Sequence, residues 1–175
     1  IVKEFKNKLQ KKTTATVILG GSAKKGTMIS GNHDLDFFVA FPKNGDLSKQ
    51  LLLTLKKAFP KTKFTTLHGS RDYYQCIHQN YAIEIIPIFK ITKAEQALNI
   101  TDISPLHAKW VQQHASNKLK EQILLLKQFC KANNIYGAES FIAGFSGYVL
   151  EIITIYYGSF NKVLQASLKW KKKQI

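Results

Sequence analysis

Three acidic residues stand in apolar surroundings within a chain otherwise rich in lysine. Asp34 and Asp36 lie in "DLDFFVAF", and Glu84 is the lone acid of "YAIEIIPIF". Alternate residues of a strand share a face, so Asp34 and Asp36 stand together, and Leu35, Phe37 and Val39 point the other way. Two neighbouring carboxylates in a half-buried strand repel each other and resist ionising. A divalent cation removes that conflict, and hard oxygen ligands suit Mg²⁺. Such ions, used as a pair, support in-line phosphoryl transfer. A charge in the middle of "YAIEIIPIF" is costly unless paired or liganded. By itself Glu84 reads as the partner of a lysine. Next to the aspartate pair it reads as a third metal ligand.

The anionic side of such a reaction needs donors. "LGGSAKKG" supplies Gly20 and Gly21 at the end of a strand, followed by Ser22. Backbone N–H groups without side chains in the way approach a phosphate closely, and a hydroxyl adds a donor. A "GGS" triplet alone is usually just a turn. Joined to "DLD" across an interval of eleven residues, with strands on both sides, it becomes specific.

The elements that position these groups follow from pattern. "IVKEFKNKLQKK" has helical spacing, "TTATVILGG" is a β-branched strand, and "DLDFFVAFP" is a strand stopped by Pro42. "LSKQLLLTLKKAFP" reads as an amphipathic helix capped by Asp46, with Pro60 beyond its end. "KFTTLHG", "YYQCIHQN" and "YAIEIIPIFKI" are three strands, the last two joined as a hairpin through Gln79 and Asn80. "SPLHAKWVQQH", "NKLKEQILLLKQFCKANN", "FSGYVLEIITIYY" and "SFNKVLQASLKW" are helical. The fold class is therefore α+β: a mixed sheet flanked by helices, then an all-helical part. The expected division is 1–105 and 106–175.

Composition is that of a globular chain. Its 175 residues are 45% hydrophobic and carry a formal net charge of +15, with Arg71 the single arginine. Such a field attracts polyanions, or reflects nothing more than a drift toward lysine and solubility. No apolar run reaches the roughly 20 residues of a membrane helix, and no secretory pattern is present. Cys76 and Cys130 lack metal-type spacing and read as reduced thiols of a cytoplasmic protein.

Taken in order, the motifs resemble the archaeal-type (class I) CCA-adding tRNA nucleotidyltransferases, a branch of the DNA polymerase β-like nucleotidyltransferase superfamily. "LGGSAKKGTMISGNHDLDFFVAF", "AIEIIPIF" and "DISPLHAKWV" resemble the catalytic head and its link to the neck. "LLKQFCKANNIYGAE" and "GFSGYVLEIITIYYGSF" resemble the neck helices. The resemblance implies template-independent addition of C and A to the tRNA 3′ end from CTP and ATP. It implies that Asp34, Asp36 and Glu84 are catalytic and hold two Mg²⁺ ions. It implies nucleotide contacts from Gly21, Ser22, Lys25, Ser104, His107, Lys127 and Tyr136. From the residues alone, His107 reads equally as a helix-surface histidine and Tyr136 as packing. Lys127 borders the apolar stripe of Leu119, Ile123, Leu126 and Cys130, as a solvated lysine or one reaching into a cleft. Gly144 and Gly147 of "GFSGY" read as allowances for close helix packing.

The sequence departs from the family pattern at three places. Glu84 replaces the usual aspartate, Arg71, Asp72 and Tyr73 stand where His-Pro-Tyr is common, and Ile103 stands where an arginine is common. The family's body and tail domains, which grip tRNA, are absent from this sequence. It then reads as a fragment, as half of a split enzyme whose second chain supplies the grip, or as a minimal form. The alternatives in function are another polymerase β-like enzyme, such as a poly(A) polymerase or adenylyltransferase, and a non-catalytic RNA-binding subunit.

Overall fold

A computed structural model describes residues 1–31, 34–42 and 45–171. It forms two compact units. One comprises Ile1–Lys25 with Gly31–Ala108, the other Gly26–Ser30 with Lys109–Ile175.

The first unit is built on a sheet of five strands among the described residues, in the order β1-β2-β5-β4-β3. These are β1 (Thr16–Leu19), β2 (Asp34–Phe41), β3 (Thr65–Leu67), β4 (Tyr73–His78) and β5 (Tyr81–Phe89). Only β2 and β5 pair in parallel; the other contacts are antiparallel. Gln79 and Asn80 turn the β4–β5 hairpin with φ of 48° and 66°. Positive φ at both central residues matches the twist of the flanking strands.

Alternation sorts the strands into two faces. Leu35, Phe37 and Val39 of β2 pack with Ile83 and Ile85 of β5. Over them lie Phe5 and Leu9 of α1 (Val2–Gln10) and Leu51 and Leu55 of α3 (Leu47–Ala58). Asp46 caps α3 as expected, accepting from the Lys49 N–H at 3.0 Å. The other face carries a smaller apolar group, Phe38, Ala40, Ile86 and Ile88. Asp34, Asp36 and Glu84 share that face by register. The thin apolar layer there leaves room for polar chemistry. Between β1 and β2 runs the short helix α2 (Gly21–Lys25).

The second unit contains α5 (Asn117–Ala132), α6 (Gly147–Tyr157) and α7 (Phe160–Ser167). The division between units falls within α4 (Ser104–His114). Ser116, Ser146 and Ser159 cap α5, α6 and α7, each accepting from a backbone N–H three residues on. Leu126, Cys130, Leu150 and Val163 form one core cluster of this unit, and Val111, Ala115 and Ile123 another. Both cysteines are free and buried. Burial pushes the Cys76 thiol up to about 11, which makes it inert near neutrality. No described helix is long and apolar enough to cross a membrane.

Candidate active site

The register of three strands builds a polar row. Asp36 of β2 stands opposite Glu84 of β5, and Glu84 stands opposite Gln75 of β4. Neighbouring strands lie about 4.8 Å apart, so these side chains interact directly. Gln75 Nε2 donates to Glu84 Oε1 at 3.2 Å. Asp34 sits two residues from Asp36 on the same face, opposite Ala82. Burial raises the Asp36 carboxyl, and Asp34 raises it further; Lys25 opposes the shift. Burial likewise raises Glu84, with Asp36 and Asp34 adding to it and the Gln75 hydrogen bond opposing. The row therefore carries more negative charge than its surroundings favour. Among the described residues no three acidic, imidazole or thiol groups are gathered into a preformed metal cage. The donor set nonetheless has the hard-oxygen chemistry that suits a divalent cation.

The glycine turn lies directly on this row. Gly20 N–H donates to the Asp36 carbonyl at 2.8 Å. A Cβ on Gly20 would come within 2.1 Å of the Phe38 ring, and one on Gly21 within 1.6 Å of Asp36 Oδ2. Gly21 also has φ +56°, a conformation that glycine alone adopts at no steric cost. The two glycines are thus required first by contact with β2. That contact brings the Ser22 end of α2 to the carboxylates. Lys25, at the end of α2, is only 9% exposed, and its charge acts on Asp36.

Ser104 reaches the same face. It lines a shallow cavity of about 270 Å³ with Glu84, Phe38, Arg71 and Tyr73. His107 lies one turn further along α4, is half-buried and has interaction partners of its own.

Asp102 holds this region together, and the sequence reading did not single it out. Its side chain is fully buried. It accepts from Arg71 Nη1 and, at 3.1 Å, Arg71 Nη2. It also accepts from the N–H groups of Phe89 at 2.9 Å, Leu98 at 3.1 Å and Asn99 at 3.0 Å. Arg71 meanwhile stacks over the Phe89 ring at 4.7 Å. Burial alone would raise the Asp102 carboxyl, but the hydrogen bonds and charge of Arg71 and the backbone donors hold it below its ordinary value. A depressed carboxyl stabilises the fold above the ordinary carboxylate pKa of about 3.9, and that stability is lost as pH falls through the lower folded value. Asp102→Asn should therefore cost about 2 kcal/mol at pH 7 and flatten the acid limb of stability against pH, measured by urea unfolding from pH 2 to 7. An unchanged acid limb would remove the clasp. The departure "SRDYY" thus places Arg71 in a structural role.

The other two expected nucleotide contacts belong to the helical unit. Lys127 is not at the edge of the α5 stripe but inside it, 1% exposed. Its ammonium donates to Glu151 Oε1 at 2.6 Å, to the Thr27 carbonyl at 3.1 Å and to Thr27 Oγ1 at 3.2 Å. Thr27 Oγ1 donates in turn to Glu151 Oε1 at 2.6 Å. Tyr136 approaches the same group: a Cβ on Gly147 would lie 2.8 Å from Tyr136 Oη and 3.6 Å from Lys127 Nζ. Gly147 therefore makes room for polar side chains. Gly144 corrects the helix-packing expectation. A Cβ there would lie 2.3 Å from the Ile135 carbonyl oxygen. The loop backbones close on each other, with Gly144 N–H to the Gly137 carbonyl and Phe145 N–H to the Ile135 carbonyl.

A parallel β2–β5 pair bearing carboxylates, with a glycine turn and short helix laid on the first strand, defines the polymerase β-like nucleotidyltransferase frame. The nucleotidyltransferase domain family matches residues 2–123, and the chain belongs to that family. The family described as tRNA nucleotidyltransferase, second domain, matches residues 121–175. The CCA-adding enzyme of Nanoarchaeum equitans is 41% identical over 160 residues, covering 90% of this chain and 40% of the relative. That of Sulfolobus acidocaldarius is 38% identical over 154 residues, covering 86% of this chain and 37% of the relative. The chain thus spans about two fifths of the length of these relatives. Among solved structures, the STING-associated c-di-GMP synthase of Capnocytophaga granulosa shares the fold with a TM-score of 0.66 at 16% identity, covering 95% of this chain and 62% of that one. The resemblance read in the sequence and its α+β fold class are both supported by these matches.

Proposed function

We propose that the chain is the head and neck of a CCA-adding enzyme, with 1–105 as head and 106–175 as neck. It transfers CMP and AMP from CTP and ATP to the 3′ end of tRNA. The observation that carries this reading is the meeting of Gly21 with Asp36 on the strand that pairs Asp36 with Glu84. A turn able to donate N–H groups to phosphate and a carboxylate row that needs cations occupy one place.

Asp34, Asp36 and Glu84 would hold two Mg²⁺ ions, which when bound supply activation of the attacking hydroxyl and charge neutralisation on the leaving pyrophosphate. The chain's own groups bind and orient. Gly21 and Ser22 donate to the triphosphate, and Lys25 offsets its charge beside Asp36. Ser104 presents its hydroxyl to the nucleotide from the cavity beside Glu84, and His107 lies next along the same helix. The proposed triphosphate contact of Tyr136 rests on the family resemblance alone. For Lys127 the same role requires its ammonium to exchange Glu151 for phosphate. The high positive charge steers RNA, with affinity falling as salt rises.

The test is incorporation on tRNA lacking its 3′ end, with CTP, ATP, UTP and GTP supplied separately and in sequence. The expected products are C, then C, then A, with a requirement for Mg²⁺ and none from UTP or GTP. Equal extension of any RNA by one nucleotide would replace CCA addition by a tailing polymerase.

A further inference from the structure

The sheet unit carries a second charged surface on the face opposite its carboxylates. Helices α1 and α3 cover that face through Phe5, Leu9, Leu51 and Leu55. Most of their outer positions are basic. The exposed residues of α3 are Lys49, Leu53, Lys56 and Lys57. On α1, Lys3, Glu4, Asn7 and Lys8 are exposed, and Lys11 and Lys12, also exposed, follow its end. No aspartate or glutamate occurs from residue 5 to residue 31, or from residue 47 to residue 71.

Aromatic packing gathers the two helices and the segment after α3 at one place. Phe5 stacks on Phe59 with ring centroids 4.5 Å apart, and Phe59 meets Phe64 at 6.3 Å. Lys8 Nζ lies 4.9 Å from the Phe59 ring centroid. Lys56 and Lys57 end α3 beside this cluster, and Lys61 and Lys63 precede Phe64, all four exposed. Lysines in a last helical turn complement the helix dipole. That explains Lys8, Lys56 and Lys57, but not Lys61 and Lys63, which lie beyond the helix.

We propose that this face is a second phosphodiester-binding surface, which holds RNA backbone without reading sequence. The identification of the polyanion as RNA rests on the function proposed above. Lipid fits less well: a membrane-binding helix needs an exposed apolar face, and α3 offers only Leu53 among its exposed positions.

The experiment compares two variants of the full chain with equal loss of charge. In the first, Lys8, Lys56, Lys57, Lys61 and Lys63 are replaced by glutamine. In the second, the exposed Lys90, Lys109, Lys118, Lys131 and Lys162 are replaced. Glutamine has a helix propensity close to that of lysine, and circular dichroism verifies that both variants fold. Binding of tRNA is followed by fluorescence anisotropy across a salt series in EDTA, so that no nucleotidyl transfer is needed. The first variant should show a slope of log K against log salt shallower by about three to four, and affinity at moderate salt at least tenfold weaker. The second should shift by less than about threefold. Equal weakening of both variants, or of neither, overturns the proposal. So does binding to vesicles of phosphatidylserine and phosphatidylcholine that depends on these lysines while RNA binding does not. Loss of the slope effect with intact CCA addition would remove this surface alone. A retained slope effect without nucleotide incorporation would remove the catalytic reading instead.

Discussion

Asp36→Asn is expected to abolish nucleotide incorporation and, at the same time, to make the metal-free protein more stable. The loss of activity follows from position. Asp36 is the member of the row that touches both halves of the site, paired with Glu84 across the sheet and in contact with the glycine turn. Removing a charge proposed to organise cations that supply several kcal/mol of transition-state stabilisation should cost at least about 10³-fold in kcat. The gain in stability follows from the raised carboxyls. Burial and Asp34 raise Asp36, and burial and Asp36 raise Glu84. The folded state therefore holds protons that the unfolded state releases, and folding weakens as pH rises from the ordinary carboxylate range, about 4, through the raised values. Asparagine removes that penalty and relieves Glu84 as well. The increase should be of the order of 1 kcal/mol at pH 7, read as a higher Tm in EDTA. Mg²⁺ should raise the Tm of the native chain and leave the variant nearly unchanged. Full incorporation by Asp36→Asn, or a variant less stable than the native chain in EDTA, would remove the carboxylate row from the site.

The features most legible in the sequence were those whose cause is local. Period-two alternation placed Leu35, Phe37 and Val39 on one face and both aspartates on the other, as the sheet has them. Asp46, Pro42 and the Gln79–Asn80 turn marked their element ends because capping and turn chemistry act over three or four residues. The pairing of Asp36 with Glu84 was legible only as two acids in apolar strands. The register that aligns them depends on a crossover of some forty residues, which no local pattern records. The glycines show the converse. "GGS" suggested an approach to phosphate, yet the immediate demand on Gly20 and Gly21 comes from Phe38 and Asp36. Asp102 escaped notice because "NITDIS" looks like any polar turn. Only the fold brings Arg71 and the Phe89 backbone to it.

Glu151 is the sharper lesson, since it carries the very signal that was used for Glu84. Each is the single acid of an apolar element, in one case "YAIEIIPIF" and in the other "GYVLEIITIYY". Of the two explanations open to such a residue, a cation ligand or a lysine partner, Glu151 realises the second, and the first is the one proposed for Glu84. Glu84 accepts from Gln75 and faces other carboxylates. Glu151 closes a buried pair with Lys127. What separates them is neighbourhood: a second acid raises the cost of charge, while a lysine 24 residues away on a packed helix removes it.

That pair makes the largest stability prediction. Both side chains are almost wholly removed from water, at 1% and 0% exposure. Taking ions out of water costs more than their attraction returns unless the remaining hydrogen bonds are made, and here Thr27 makes them from its hydroxyl and its carbonyl. Glu151→Ala removes the counter-charge of a buried ammonium, so it should cost about 3–5 kcal/mol, seen as a lower urea midpoint at unchanged slope. The double replacement Lys127→Met with Glu151→Leu should recover most of that loss, because matched apolar volumes need no partner. The two variants also separate structure from chemistry. If Lys127 exchanges Glu151 for the triphosphate, the double variant folds but shows a KM for CTP and ATP raised by tenfold or more, as expected for a lost charge-assisted contact of about 1.5 kcal/mol. If the pair is only structural, KM is unchanged. A cost below about 1 kcal/mol for Glu151→Ala would mean that water reaches the pair, and the buried clamp on Thr27 would not exist.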